Sequence, residues 1–255
     1  MSPRTRISEA IRGGAAGGEP ALVAYLTAGF PRRESFRQQL RTLASVAHVI
    51  EVGVPFTDPM ADGVTIQRAS QAALADGVSL EWILSELEAL GELGAPLLLM
   101  SYLNPLLAFG VSELGARAAR AGVSGFIVPD LPLDESSELR TGLAQEELAL
   151  VQMVTPVTEP QRLQQLCAAS EGFVYAVTMT GTTGRSVAVP EDVLAYLDRV
   201  RASSPVPVCA GFGIRNREQV ARLAGHVDGV VVGSALVEVL ERGEDAAAWL
   251  KALRS

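Results

Sequence analysis

Residues 48–63, HVIEVGVPFTDPMADG, begin as an apolar segment and break into a loop with two prolines, two aspartates and a terminal glycine. Glu51 stands near the end of the apolar segment, and Asp62 follows eleven positions later at the far end of the loop. An unpaired carboxylate is costly to bury, so a strand gains no stability from Glu51 at its tip. The pattern therefore indicates a buried strand whose end carries a functional acid.

Similar short apolar runs recur along the chain at intervals of roughly 20 to 45 residues. Their apolar residues are continuous rather than alternating, which is typical of parallel strands that are covered on both faces. We predict eight strands, at residues 22–27, 48–52, 96–102, 125–129, 149–154, 173–178, 205–211 and 228–234.

Most of the segments between these runs have helical periodicity. Phe36, Leu40 and Leu43 recur at spacings of four and three and would form one apolar stripe. Ser79 precedes a run of strong helix formers as a candidate N-cap, and Pro190 stands at the favoured first turn of another helix. We predict helices at residues 33–46, 79–90, 112–121, 134–147, 159–169, 190–202 and 216–224.

Eight units of strand and helix in 255 residues match the count and length of a (β/α)8 barrel. An open doubly wound sheet is the alternative, but no Gly-x-Gly-x-x-Gly turn follows the first predicted strand. We expect an α/β protein with the (β/α)8 TIM barrel fold, an additional N-terminal helix and a single domain over residues 1–255. In this fold the loops after the strands build the active site, which would place Glu51 at the catalytic rim.

The composition excludes several classes of function. A net charge of −8 argues against a surface for nucleic acid or anionic membranes. The longest apolar runs are far shorter than the roughly 20 residues of a membrane span, and the N-terminus does not have the pattern of a secretory signal. We therefore expect a cytoplasmic protein. Cys167 and Cys209 lack neighbours at metal-ligand spacing, so we expect two buried thiols and no metal site.

Three glycine-rich turns follow the last three predicted strands, at residues 181–186, 210–214 and 232–237. Loops at this place in a barrel often hold a phosphate with backbone N–H groups and a helix N-terminus, and glycine lets the backbone approach the anion closely. Ser234 adds a hydroxyl donor. We therefore expect a ligand that carries a phosphate. For Arg185 and Arg215, beside two of these turns, the favoured interpretation is an exposed, solubilising side chain.

A phosphate at the last two strands would let the ligand extend across the barrel mouth to Glu51. Burial would raise the pKa of this carboxyl, which suits a group that both gives and takes a proton, whereas Asp62 can arrive with loop closure. The alternatives are that Glu51 pairs with an arginine and that Asp62 caps the following helix. Apolar or aromatic residues at strand ends would either enclose a flat ring or fill the core; they are Tyr25, Met100, Tyr102, Ile127 and Tyr175.

Several motifs of the chain occur together in one known family. They are EVGVPFTDPMADGVTIQRAS at 51–70, YLTAGFP at 25–31, MSYLNPLLAFG at 100–110, GFIVPDLPLDES at 125–136, TGTTG at 180–184, GFGI at 211–214 and GSALV at 233–237. Across nearly its whole length the chain therefore resembles the tryptophan synthase alpha chain. The resemblance implies a lyase that cleaves indole-3-glycerol phosphate to indole and glyceraldehyde 3-phosphate, in a retro-aldol reaction without a cofactor.

The resemblance also implies a role for particular residues. Glu51 would be the general acid/base that protonates the indole ring carbon, and Asp62 would bond the indole N–H. Substrate contacts are implied for Tyr25, Met100, Tyr102, Ile127, Tyr175 and Thr183, and phosphate contacts for Gly184, Gly213, Gly233 and Ser234.

The partner implied by the resemblance is the tryptophan synthase beta chain, in an α2β2 heterotetramer. The beta chain would carry pyridoxal phosphate, and Asp58, Pro59, Asn104 and Pro105 would face it. Three alternatives stay open: a free-standing lyase, a non-catalytic phosphate-binding barrel that serves as a partner subunit, and another enzyme of phosphorylated sugars. The last would require a second acid or a histidine cluster, which the sequence does not offer.

Overall fold

Eight parallel strands close into a barrel in the computed structural model of the chain, which describes residues 1–178, 189–211 and 213–254. Each strand pairs with the next along the chain, and the last pairs with the first. The predicted (β/α)8 barrel is therefore confirmed. The strands are β1 (Ala21–Thr27), β2 (Val49–Gly53), β3 (Leu97–Met100), β4 (Val123–Ile127), β5 (Ala149–Val154), β6 (Val174–Val177), β7 (Val208–Gly211) and β8 (Gly229–Val232).

Helices surround the barrel, and one helix precedes it as predicted. They are α1 (Pro3–Ala15), α2 (Phe36–Ala44), α3 (Val64–Ala75), α4 (Leu80–Leu90), α5 (Leu103–Phe109), α6 (Val111–Arg120), α7 (Ser137–Ala144), α8 (Pro160–Ala169), α9 (Glu191–Ser203), α10 (Arg217–Leu223), α11 (Ser234–Glu241) and α12 (Ala246–Lys251). None of the helices within the described ranges is long and apolar enough to cross a membrane.

The predicted helix starts are right to within a few residues. The Ser79 hydroxyl accepts a hydrogen bond from the Trp82 N–H at 3.2 Å, as expected of an N-cap. Pro190 is the N-cap residue rather than part of the first turn, since α9 begins at Glu191. The predicted helices at 33–46 and 134–147 each open with a 3-10 turn, Arg33–Ser35 and Leu133–Glu135, before the α-helix starts.

Seven of the eight predicted strands differ from the observed strands by one to three residues at one or both ends, and two of them concern the site. The strand predicted at 125–129 runs instead from Val123 to Ile127, because it pairs from its first residue with Leu97 of β3. The strand predicted at 96–102 ends at Met100. Tyr102 lies beyond it, with the extended backbone of the residue that begins α5.

Both faces of each strand are buried, which explains the continuous apolar runs. In β1, Leu22 and Leu26 point outward and pack with the helices, whereas Val23 and Tyr25 point into the barrel. The barrel interior is a separate apolar cluster that also includes Leu98 and further side chains of the other strands. The strands are therefore fixed from two sides, and a side chain at a strand end has a defined position.

Helix α1 closes the N-terminal end of the barrel. Ile7 and Ile11 are fully buried and belong to the interior cluster. The Ser8 hydroxyl donates to the carbonyl of Gly172, just before β6, at 2.6 Å. Gly172 has φ +77°, and a Cβ there would lie 3.2 Å from Ile7. In the described part of the chain, α1 thus covers one end of the barrel, and the cleft lies at the other, where the strands have their C-terminal ends.

We expect Ile11→Ala to lower the free energy of unfolding by about 2–5 kcal/mol, since it removes a fully buried side chain and leaves a cavity. Urea unfolding followed by circular dichroism measures the change. The control is Val157→Ala at a side chain that is 78% exposed, for which we expect a change within about 0.5 kcal/mol. Equal effects of the two substitutions would contradict the conclusion that α1 packs into the N-terminal end of the barrel.

Candidate active site

A cleft opens at the C-terminal end of the barrel, opposite α1. It encloses about 530 Å³ of empty space, part of it continuous with solvent. The described residues that line it are Tyr25, Glu51, Asp62, Gly63, Ile66, Met100, Tyr175, Gly213, Ile214, Val231, Gly233 and Ser234. Most of the predicted site residues therefore meet in one place, although they are far apart in the sequence.

Glu51 lies on β2 between Tyr25 of β1 and Leu98 of β3, its register partners. It is 1% exposed. In the described part of the chain it forms no ion pair, and its Oε2 has no hydrogen-bond partner. Burial, together with the negative charge of Asp62, raises the pKa of Glu51 to about 8. The side chain is therefore mostly protonated at neutral pH and able to donate a proton.

Asp62 lies on the loop between β2 and α3 and faces the same cleft. Burial raises its pKa to about 6, against the opposite effect of a hydrogen bond with Tyr102. The alternative that Asp62 caps α3 is wrong, because the N-cap residue is Gly63 and no side chain caps the helix. Only the backbone carbonyl of Asp62 contacts α3, where it accepts from Gln67 at 2.8 Å.

Two buried tyrosines form aromatic walls in the cleft. The Tyr25 hydroxyl lies 3.3 Å from the Thr27 hydroxyl, and burial raises the pKa of the Tyr25 and Tyr175 phenols. Each ring packs against a glycine on the adjacent strand: a Cβ would lie 2.1 Å from the Tyr25 oxygen at Gly53 and 2.3 Å from the Tyr175 oxygen at Gly211. Sequence reasoning missed both glycines as site residues. The sequence does contain a signal for them, since each glycine ends a strand whose neighbour in the barrel carries a tyrosine.

The part of the cleft opposite Glu51 contains the predicted phosphate-binding residues. Gly213 has φ +97°, a conformation that favours glycine. Gly233 is the N-cap residue of α11, and Ser234 is its first residue, so the N–H groups of a helix N-terminus face the cleft. Thr183, Gly184 and Arg185 lie outside the described residues. Arg215 forms an ion pair with Glu238 of α11 rather than standing free.

Tyr102 and Ile127 are not among the described residues that line the cleft. Ile127 is fully buried in the barrel interior. Tyr102 is 4% exposed; its hydroxyl accepts from the Ala61 N–H at 2.8 Å and donates to the Asp62 carboxylate. Tyr102 therefore contacts the cleft through Asp62.

The four residues predicted to face a partner lie on two neighbouring segments of the barrel rim. Asp58 and Pro59 belong to the loop after β2, and Asn104 and Pro105 belong to α5. The two segments meet where Phe56 stacks on Tyr102, with ring centroids 5.1 Å apart. Large apolar side chains are exposed on both segments: Met60 is 81% exposed and Leu107 is 48% exposed.

Neither histidine lies in the cleft. The Nδ1 atom of His48 accepts from the Leu22 N–H at 3.0 Å, and burial lowers the pKa of this imidazole. His226 pairs with Asp198 at the surface. Both cysteines are buried free thiols, as predicted. Within the described ranges, no group of three or more His, Cys, Asp or Glu side chains is arranged to hold a metal ion.

Comparison with known proteins identifies the family. A family model described as tryptophan synthase alpha chain matches residues 14–254. The tryptophan synthase alpha chain of Nitratidesulfovibrio vulgaris is 45% identical over 250 residues, which cover 97% of each chain. A structure of Mycobacterium tuberculosis tryptophan synthase is 37% identical with a TM-score of 0.89, covering 97% of this chain and 96% of that one.

A chain from the tryptophan synthase α2β2 complex of Pyrococcus furiosus is also similar in structure. It is 35% identical with a TM-score of 0.85, and the match covers 92% of this chain and 97% of that one. The motifs and the barrel thus agree with the family model and with these relatives. The chain belongs to the tryptophan synthase alpha chain family.

Proposed function

We propose that this chain is the alpha subunit of tryptophan synthase and cleaves indole-3-glycerol phosphate to indole and glyceraldehyde 3-phosphate. The observation that carries the proposal is Glu51, a buried carboxyl with a pKa of about 8, in the same cleft as a helix N-terminus suited to phosphate. Proton donation to carbon at neutral pH requires an acid of this kind. Family membership supplies the substrate.

Glu51 and Asp62 would divide the chemistry between them. Protonated Glu51 gives its proton to the ring carbon that carries the glycerol chain, and this turns the ring into an electron sink. Asp62, with a pKa of about 6, is ionised at neutral pH; it accepts the indole N–H bond and stabilises the positive charge. The bond between ring and chain then breaks, its electrons return to the ring, and the glycerol hydroxyl loses its proton to Glu51, leaving an aldehyde.

The remaining residues of the cleft would bind the two ends of the substrate. Tyr25, Tyr175 and Met100 enclose the indole ring, and Gly213, Gly233 and Ser234 hold the phosphate. The reaction consists of proton transfers and one carbon–carbon cleavage, so we propose no cofactor for this chain. Thr183 and Gly184, outside the described residues, keep their proposed contacts with substrate and phosphate.

We further propose that the chain is a cytoplasmic single-domain protein and associates with a beta chain in an α2β2 heterotetramer. Pyridoxal phosphate would belong to that beta chain. The similar Pyrococcus furiosus protein, which comes from an α2β2 complex, supports this proposal. The exposed apolar side chains Met60 and Leu107, beside Asp58 and Asn104, are suited to a protein interface.

We expect Glu51→Gln to lower indole release from indole-3-glycerol phosphate by at least about 100- to 10,000-fold, because proton transfer is lost in two steps. Calorimetric titration should show that substrate binding is retained, since the amide has nearly the same shape. The control is Glu88→Gln at a carboxylate of α4 that pairs with Arg117, which should leave turnover unchanged. Wild-type turnover in Glu51→Gln would exclude the proposed mechanism.

The raised pKa of Glu51 also predicts how stability depends on pH. The folded state binds this proton more tightly than the unfolded state, whose pKa is 4.5. The free energy of unfolding should therefore fall as pH rises from about 4.5 to 8, by at most about 1.4 kcal/mol per pH unit for this group. Asp62 acts in the same direction between 3.8 and about 6.

Glu51→Gln removes the contribution of Glu51 to this dependence. The stability of the variant relative to wild type should increase from pH 5 to pH 8 in urea unfolding. A difference between Glu51→Gln and wild type that stays constant over this range would show that Glu51 titrates normally in the folded protein.

A beta chain should raise indole release and co-elute with this chain in size-exclusion chromatography. We expect Leu107→Arg to weaken that association by about 10-fold or more, since it places a charge at the proposed apolar contact. The control is Glu92→Arg in the loop before β3, at the opposite end of the barrel. Unchanged turnover with no complex would favour the free-standing lyase, and no turnover with a stable complex would favour the non-catalytic subunit.

A further inference from the structure

Tyr102 joins the loop that carries Asp62 to helix α5. A phenol hydroxyl has one proton to donate, and here that proton goes to the Asp62 carboxylate. The same oxygen accepts the Ala61 N–H at 2.8 Å. One hydroxyl therefore contacts two successive residues of the loop, one through its backbone and one through its side chain.

The position of Tyr102 is fixed from several sides. Its ring stacks on Phe56 at 5.1 Å, and its side chain is buried. The Ser101 hydroxyl donates to the Tyr102 carbonyl at 2.9 Å, and the next N–H, that of Leu103, donates to the Asp130 carboxylate at 2.9 Å. Tyr102 is thus held by the ends of β3 and β4, which belong to the rigid barrel.

Asp62 has much less support of its own. It lies outside any strand or helix, and Gln67 contacts only its backbone carbonyl. In the described part of the chain no lysine, arginine or histidine pairs with its carboxylate. Among the residues that the structure describes, the Tyr102 hydroxyl is therefore the side-chain donor that supports this carboxylate.

We propose that Tyr102 is a positioning residue, which holds the Asp62 carboxylate in the orientation that accepts the indole N–H. It acts through Asp62 and does not itself contact the substrate. This inference rests on the proposed function of the cleft. A reactive group is productive only when neighbouring hydrogen bonds keep it within a narrow range of positions, and Tyr102 supplies that restraint from the rigid part of the fold.

The charged and titratable groups around Asp62 come from four elements. Glu51 of β2, Tyr25 of β1 and Tyr175 of β6 interact with it electrostatically, and Asp130, after β4, interacts electrostatically with Tyr102. Of these neighbours, Tyr102 donates the hydrogen bond that lowers the pKa of Asp62. Loss of the hydroxyl should therefore raise that pKa further, while the other groups stay in place.

The test is Tyr102→Phe, which keeps the ring and its stacking on Phe56. We expect kcat for indole release to fall on the order of 10- to 100-fold, the effect of losing one hydrogen bond to a charged group, with a smaller change in KM. The acidic limb of the kcat/KM profile, which reports ionised Asp62, should move to higher pH. In ¹³C NMR, the carboxyl carbon of Asp62 should titrate at a higher pH in Tyr102→Phe than in the wild type. This measurement does not depend on catalytic activity.

Tyr196→Phe is the matched control. Tyr196 is also a buried tyrosine, and its hydroxyl donates to the Val154 carbonyl at 2.9 Å on the outer side of the barrel. A merely structural loss of a buried hydroxyl should lower stability in both variants. Only Tyr102→Phe should shift the pH profile.

A double substitution separates positioning from other effects. If Tyr102 acts through Asp62, Tyr102→Phe should cost almost nothing further in an Asp62→Asn background, because coupled residues are not additive. The inference would be overturned if the acidic limb of the kcat/KM profile stayed in place in Tyr102→Phe. It would also be overturned if Tyr102→Phe lowered kcat by its full factor in the Asp62→Asn background. Neither result would affect the proposed function, as long as the wild type releases indole. Absence of indole release by the wild type with its beta chain would instead refute the proposed function.

Discussion

Glu51 is a carboxyl group held in an apolar barrel mouth where, among the described residues, its Oε2 has no hydrogen-bond partner. Exposure to water would relieve the cost of burial, but the side chain points inward from a strand that is paired on both sides. Moving it to solvent would require breaking the barrel. The packing of the two apolar clusters stabilises the barrel and so keeps Glu51 buried. Burial in turn keeps this carboxyl mostly protonated at neutral pH.

The rest of the cleft depends on this constraint. Helix α1 closes the other end of the barrel, and Glu51 faces the cleft at the mouth. There the Tyr25 and Tyr175 rings occupy space that exists because Gly53 and Gly211 have no side chains. Asp62 stands apart from this rigid set. It lies on a loop, and its carboxylate is tied to the barrel through Tyr102.

Much of the fold could be predicted because both faces of each strand are covered, so that a strand appears in the sequence as a continuous apolar run. The bounds of β5 were predicted to the residue. β4 was misplaced because its first residues, Val123 and Ser124, follow a glycine and include a polar side chain, and only pairing with β3 brings them into the sheet. For Tyr102, the sequence places it at a strand end but does not show that its hydroxyl turns toward Asp62.

The barrel, the place of Glu51 on its second strand and the glycine-rich turns could be predicted from local periodicity and residue type, although Glu51 lies in the middle of β2 (Val49–Gly53) and not at its tip. The resemblance to the family, also contained in the sequence, singled out Asp62. The protonation states of Glu51 and Asp62, and the contacts that hold them, follow from the folded arrangement alone. A pKa depends on burial and on neighbouring charges, and the groups around Glu51 come from distant strands and loops whose distances no linear pattern encodes.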